Sequence, residues 1–231
     1  MTRIVLLVHG PHEKGHTMGN NITELVFIID RSGSMAGMED DTIGGFNSVL
    51  EKNRGTEGTA FVTTVLFDHE QLTLHDRVDI REVEPLTRDD YQVRGCTALL
   101  DAVGDTVKHI RRVQHYMPKG HKPDHTIVAI ITDGMENASR KYRYPEVKHM
   151  IEKAQGKGWE FLFLGANIDA AAEAGRIGIR RERAARYVND KVGAPLAYEA
   201  VACASVAFRE GGSIDDAWAH KVNEDNARRG R

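Results

Sequence analysis

The sequence predicts an α/β domain: a doubly wound, mostly parallel central sheet with one antiparallel edge strand and helices on both faces. Three observations predict it. Apolar runs recur at 25–29, 126–131 and 159–165, the first two rich in β-branched residues, the pattern of strands buried on both faces. Stretches with helical spacing separate them, so strands and helices alternate along the chain. Residues 72–78 instead alternate apolar and polar positions, as a half-exposed hairpin partner does.

The elements follow in order. After the first strand, 41–52 reads as a helix, with Ile43, Phe46, Val49 and Leu50 near helical spacing and Gly44-Gly45 allowing close packing on that strand. A second strand at 60–67 leads through a turn at 68–70 to the hairpin partner, and 80–86 adds a short extended piece. Residues 99–113 form the next helix, and 145–155 another, with Pro145 near its first position. The strand at 159–165 precedes a helix at 166–174 closed by Gly175. Tyr187-Val188 forms a last short strand. A helix over 193–209 follows, with an apolar stripe through Leu196, Ala200, Cys203 and Val206-Ala207.

Residues 1–20 are expected to be a poorly ordered extension. His9-Gly10-Pro11-His12 stops the apolar run before them, and Met18 is a candidate natural start just ahead of the domain pattern. The domain is expected to span 21–210. The polar tail, 211–231, is expected to fray apart from a short helix near 214–220.

Three short segments supply hard oxygens at the ends of apolar runs or the start of a helix. They are Asp30-Arg31-Ser32-Gly33-Ser34, Gly95-Cys96-Thr97-Ala98-Leu99 and Thr132-Asp133-Gly134. Ligands of open α/β sheets bind beyond the carboxyl ends of the strands, where all three fall. Mg²⁺ takes oxygen ligands in near-octahedral geometry and keeps some of its waters. Ser32, Ser34 and Thr97 are placed to ligate directly, while Asp30 and Asp133 neutralise charge directly or through water. Gly33 removes a Cβ where the backbone passes close to the ion. With only two carboxylates the cation stays incompletely neutralised, so an open position attracts another carboxylate from outside. Taken singly, D-x-S-x-S also suits a helix N-cap and Thr-Asp-Gly a turn.

Together the segments resemble a known family. Asp30, Ser32 and Ser34 match the D-x-S-x-S loop of von Willebrand factor A-type (VWA) domains. Thr97 matches that family's second-loop threonine and Asp133 its third-loop aspartate. The resemblance covers 23–210 and includes a complete metal-ion-dependent adhesion site (MIDAS). It implies a Rossmann-like fold, a bound Mg²⁺ (with Mn²⁺ or Ca²⁺ as alternatives), and a protein partner whose Glu or Asp completes the metal. It further implies that movement of the last helix couples occupancy to partner release. The later part is similar to small free-standing bacterial A-type domains, including ones associated with tellurite and stress-response operons. Adaptor roles beside ATPases or kinases occur among intracellular relatives of this kind.

Composition narrows the function classes. Hydrophobic residues make up 41% and charged residues 28% of the chain, with net charge −3, so no global field drives it toward nucleic acid or a membrane. Basic clusters at 111–112, 119–122, 140–143 and 180–186 read as solvated, since acids are interspersed. No apolar run reaches the roughly 18 residues of a membrane span. Cys96 and Cys203 are too few for a disulfide framework, and the run at 4–8 is too short for a signal-peptide core. The expected setting is cytoplasmic. The alternative function is a metal-dependent hydrolase or phosphatase, but no histidine lies in any of the three loops. Glu136, Asn137 and Ser139 suit either a partner-selecting rim or helix capping. Met35 and Met38 suit either a soft rim or the core.

Overall fold

The computed structural model describes residues 21–229; the expected extension at 1–20, with His9 and His12, lies outside them. Six strands form one sheet: β1 (Ile22–Asp30), β2 (Thr59–Phe67), β3 (Gln71–Asp79), β4 (His125–Thr132), β5 (Trp159–Ala166) and β6 (Ala184–Tyr187). Their order is β3-β2-β1-β4-β5-β6. All neighbours are parallel except the β2–β3 hairpin at one edge. The six helices are α1 (Glu39–Arg54), α2 (Leu99–Tyr116), α3 (Tyr144–Gln155), α4 (Ala170–Arg176), α5 (Gly193–Gly211) and α6 (His220–Arg229).

The pleat divides the apolar runs between two cores. Leu25, Phe27 and Ile29 of β1, with Ile127, Ala129 and Ile131 of β4, face α1 and α5. Val26, Ile28, Val128 and Ile130 face α2 and α3. The chain winds outward from β1 in one direction and from β4 in the other. The switch in strand order therefore lies between β1 and β4, and their carboxyl ends present Asp30 and Asp133 side by side.

Four local expectations are corrected. The piece at 80–86 is irregular, because side chains of α1 take its backbone groups. Asn47 accepts from the Leu86 N–H (2.8 Å) and donates to the Leu86 carbonyl (2.9 Å), and Arg54 Nε donates to the Ile80 carbonyl (2.9 Å). Helix α4 starts only at Ala170, where Asp169 caps it by accepting from the Ala172 N–H at 3.0 Å; residue 166 still belongs to β5. The buried face of α5 runs through Ala197, Tyr198, Val201, Ala204 and Phe208, while Cys203 is exposed. Beyond Gly211 the chain is not frayed through 229. It forms α6, with Val222 buried, and Arg229 pairs with Asp190 at 2.6 Å.

Gly45 also packs differently from expectation. A Cβ there would lie 2.3 Å from the Tyr198 ring, so the glycine admits α5 against α1, not α1 against the sheet.

Candidate metal centre

Asp30 ends β1, fully buried. Its carboxylate accepts from the Ser32 N–H (2.7 Å) and from Thr132 Oγ1 (2.6 Å). The loop after it is held from both sides. Arg31 N–H donates to the Phe67 carbonyl (2.8 Å), and Gly33 N–H donates to the Gly95 carbonyl (3.1 Å). That last bond joins the first loop to the second, and a Cβ on Gly33 would come within 3.3 Å of the same carbonyl.

The side chains from the three loops then meet. Thr97 Oγ1 donates to Ser32 Oγ (3.0 Å), Ser32 and Ser34 hydroxyls bond at 3.1 Å, and Ser34 Oγ donates to Asp133 Oδ1 (2.5 Å). All five residues expected from the sequence (Asp30, Ser32, Ser34, Thr97 and Asp133) are therefore in one cluster. Asp30, Ser32, Thr97 and Asp133 are buried and Ser34 is exposed, so the cluster opens to solvent on the Ser34 side.

Electrostatics make the cluster incomplete by itself. Burial pushes the Asp30 carboxyl up to about 6, against the hydrogen bonds from Thr132 and Ser32 and helped by nearby Asp133. Burial likewise raises Asp133, opposed by the Ser34 hydrogen bond. Among the described residues no arginine or lysine pairs with either. Arg31, the next residue, turns instead to Asp68 at 2.9 Å. Buried carboxylates without a cationic partner are costly unless they coordinate a metal. The donor set fits one: three hydroxyls and two carboxylates are hard oxygen ligands. The space fits as well, since a Cβ on Gly134 would sit 3.1 Å from Thr97 Oγ1 and 3.3 Å from Ser34 Oγ.

The second group of possible ligands, Asp68, His69 and Glu70, is already neutralised. Arg94 bridges Asp68 (2.9 Å) and Glu70 (2.6 Å), and Arg31 holds Asp68 from the other side.

Neighbouring residues resolve into distinct jobs. Asn137 accepts from the Thr97 N–H (2.9 Å) and fixes the second loop. Glu136 accepts from the Leu100 N–H (2.9 Å) and Ser139 from the Asp101 N–H (3.0 Å). Both therefore cap α2, the preceding helix, where capping of the next one was the alternative expected. Met35 and Met38 are buried in the core, whereas Met135, two residues after Asp133, stands 64% exposed. Sequence reasoning gave no role to Thr132, Tyr91 or Asn189. Tyr91 Oη donates to the Asp30 carbonyl (2.5 Å), and Asn189 Nδ2 donates to Asp133 Oδ2 (3.2 Å). Thr132 stood inside the third motif and was readable there; Asn189 lies in a loop with no signal beyond a turn.

Solved structures share this arrangement of strands and helices. The von Willebrand factor domain of the pilus tip protein Mfa5 from Porphyromonas gingivalis superposes with a TM-score of 0.56 at 12% identity, over 84% of this chain and 98% of that one. The chain has the von Willebrand factor A fold. Proximal thread matrix protein 1 from the mussel byssus, in a form with a zinc-occupied MIDAS motif, gives 0.52 at 16% identity over 80% of this chain. A von Willebrand factor type A protein from Catenulispora acidiphila gives 0.52 at 16% over 82%. This chain spans 46% of the mussel protein and 43% of the Catenulispora one. No family model and no curated protein matches it by sequence. Among the described residues, no helix of this VWA fold is long and apolar enough to cross a membrane.

Proposed function

We propose that this VWA domain is a divalent-metal-dependent protein-interaction module. Asp30, Ser32, Ser34, Thr97 and Asp133 would hold the ion, with Mg²⁺ the first choice and Mn²⁺ or Ca²⁺ as alternatives. The observation that carries the reading is a pair of buried, cation-free carboxylates around a chain of three hydroxyls: the chain ends on Asp133, Asp30 holds the Ser32 backbone N–H, and the cluster opens to solvent at Ser34. The zinc-occupied MIDAS of the mussel protein, on the same fold, supports a divalent cation here without choosing the metal.

A metal with hydroxyl-rich, partly neutralised coordination offers its open position to an anionic oxygen. The partner's contribution is then a Glu or Asp side chain. Binding, not catalysis, is favoured because the hydroxyls bond to one another and to Asp133, and no histidine joins them among the described residues. The cellular role that fits is a cytoplasmic adaptor in a bacterial stress-response or ATPase- or kinase-linked system, a reading that rests on the sequence resemblance.

Affinity capture from the source cell tests this. Wild type and Asp30→Ala serve as bait, each with Mg²⁺ or with chelator. A protein retained only by wild type with Mg²⁺ is expected. Retention indifferent to both changes would remove the metal centre from the interaction. Mg²⁺-dependent turnover of a generic phosphate ester, lost in Asp30→Ala, would make the domain a hydrolase instead.

A further inference from the structure

At the opposite end of the sheet from Asp30 and Asp133, a cleft of about 230 Å³ lies between the end of α2, the loop entering β4 and the start of β5. Arg111, His115, Lys122 and Lys157 line it. Two of these, Arg111 and Lys122, come from basic clusters that look unrelated in the sequence; the fold brings them to one place and adds Lys157 from the α3–β5 turn.

Three features distinguish the cleft from an ordinary solvated surface. First, the fold gathers Arg111, Lys122 and Lys157 around one cleft, and among the described residues none of the three is in an ion pair. Second, Arg111 Nε is buried without a hydrogen-bond partner among the described residues, a donor whose desolvation is uncompensated. Third, cationic side chains outnumber the one carboxylate in the lining, Asp124, which accepts from the Ile22 N–H at 3.2 Å and keeps its charge. Trp159 closes the floor, 6% exposed and stacked on Phe161.

We propose that this cleft is a binding site for a phosphate group, carried by a small phosphate ester or by free phosphate. A guanidinium with an unused N–H, in a cleft also lined by two lysines, suits a tetrahedral dianion better than a neutral ligand. The local positive potential stands out in a chain of net charge −3, and such a pocket concentrates anions. Its volume is below the roughly 300–1,000 Å³ of drug-sized sites, which limits the occupant to the phosphate and a small body.

The test is an amide-shift titration of the full chain, followed by ¹H–¹⁵N NMR at constant ionic strength. Inorganic phosphate and ribose 5-phosphate are titrated separately, with a short single-stranded RNA as the competing macromolecule. Saturable shifts at Lys122, Lys157 and Gly158 are expected. Lys157→Gln and Lys122→Gln, both at exposed positions, should each weaken binding by about tenfold. Asp30→Ala should leave it unchanged, which separates this site from the metal centre. Tighter binding of ribose 5-phosphate assigns the site to an ester and tighter binding of inorganic phosphate to the free ion; either supports the proposal. Shifts that fail to saturate, or that persist in the Lys122→Gln/Lys157→Gln double variant, overturn it. So does RNA that binds more tightly than both small ligands.

Discussion

Asp30 carries two opposing effects that decide what its removal does. Its burial raises the carboxyl to about 6, so holding it ionised without a metal costs on the order of 3 kcal/mol at neutral pH. Its loss orphans the buried Ser32 N–H, at about 1–3 kcal/mol, while the Thr132 hydroxyl keeps its partners on Gly134. Asp30→Asn keeps an acceptor and removes the charge. Metal-free Asp30→Asn is therefore expected to melt at or above the wild-type temperature, while the rise in Tm that Mg²⁺ gives wild type disappears. A metal-free variant that is several degrees less stable would mean that the carboxylate is there for structure. Glu24 offers a separate pH test at the far end of β1. Its ion pair with Arg77, at 2.7 Å, does not offset burial, which pushes the carboxyl up to about 7 from 4.5. The folded state thus holds this proton to higher pH than the unfolded chain. Stability falls as pH rises between about 4.5 and 7, by up to roughly 3 kcal/mol. Urea titrations across that range should show a flatter profile for Glu24→Gln; an unchanged slope would contradict the assignment.

At the scale of elements, two contacts hold the α1 face. Asn47 closes both backbone groups of Leu86, at 2.8 and 2.9 Å, so Asn47→Ala should cost about 1–3 kcal/mol through the orphaned groups. Gly45→Ala drives a methyl into the Tyr198 ring and should cost about 1–3 kcal/mol by overpacking. Chemical denaturation checks both, and a neutral Gly45→Ala would mean that α5 shifts freely on α1. The same contacts show where the sequence was legible. Strands β1, β4 and β5 were readable because burial on both faces leaves an unbroken apolar run. The stretch at 80–86 was misread because Ile80, Val83 and Leu86 are buried while Asn47 and Arg54 replace a strand partner. Side chains distant in sequence leave no periodic signal. Helix α5 was found but its face was rotated, since a helix so rich in alanine carries little contrast between sides. The five cluster residues were legible as three motifs; Asn189 became visible only in the fold, where the loop after β6 reaches past β5 to Asp133 at the end of β4.

For the molecule as a whole, placement follows from topology. The winding reverses between β1 and β4, so the ends of both strands and the loop before α2 converge at one edge, the general location of ligands in open α/β sheets. The basic cleft sits at the other edge, where the strands begin. The β6–α5 loop links the Asp30–Asp133 cluster to α6: Asn189 donates to Asp133, and Asp190 pairs with Arg229 of α6. Loss of that pair in Arg229→Ala is expected to loosen α6, read as faster amide exchange at Val222 and Asp225. Unaltered exchange there would mean that α6 is held by its apolar contacts alone.

The central claim is that the five oxygens hold one divalent ion, and Mn²⁺ binding followed by electron paramagnetic resonance tests it most directly. Wild type is expected to bind one Mn²⁺ per chain, displaced by excess Mg²⁺, with binding lost in Asp30→Ala and Asp133→Ala that remain folded by circular dichroism. Equal Mn²⁺ binding by wild type and both variants would contradict the account and leave the three loops as turns held by their own hydrogen bonds.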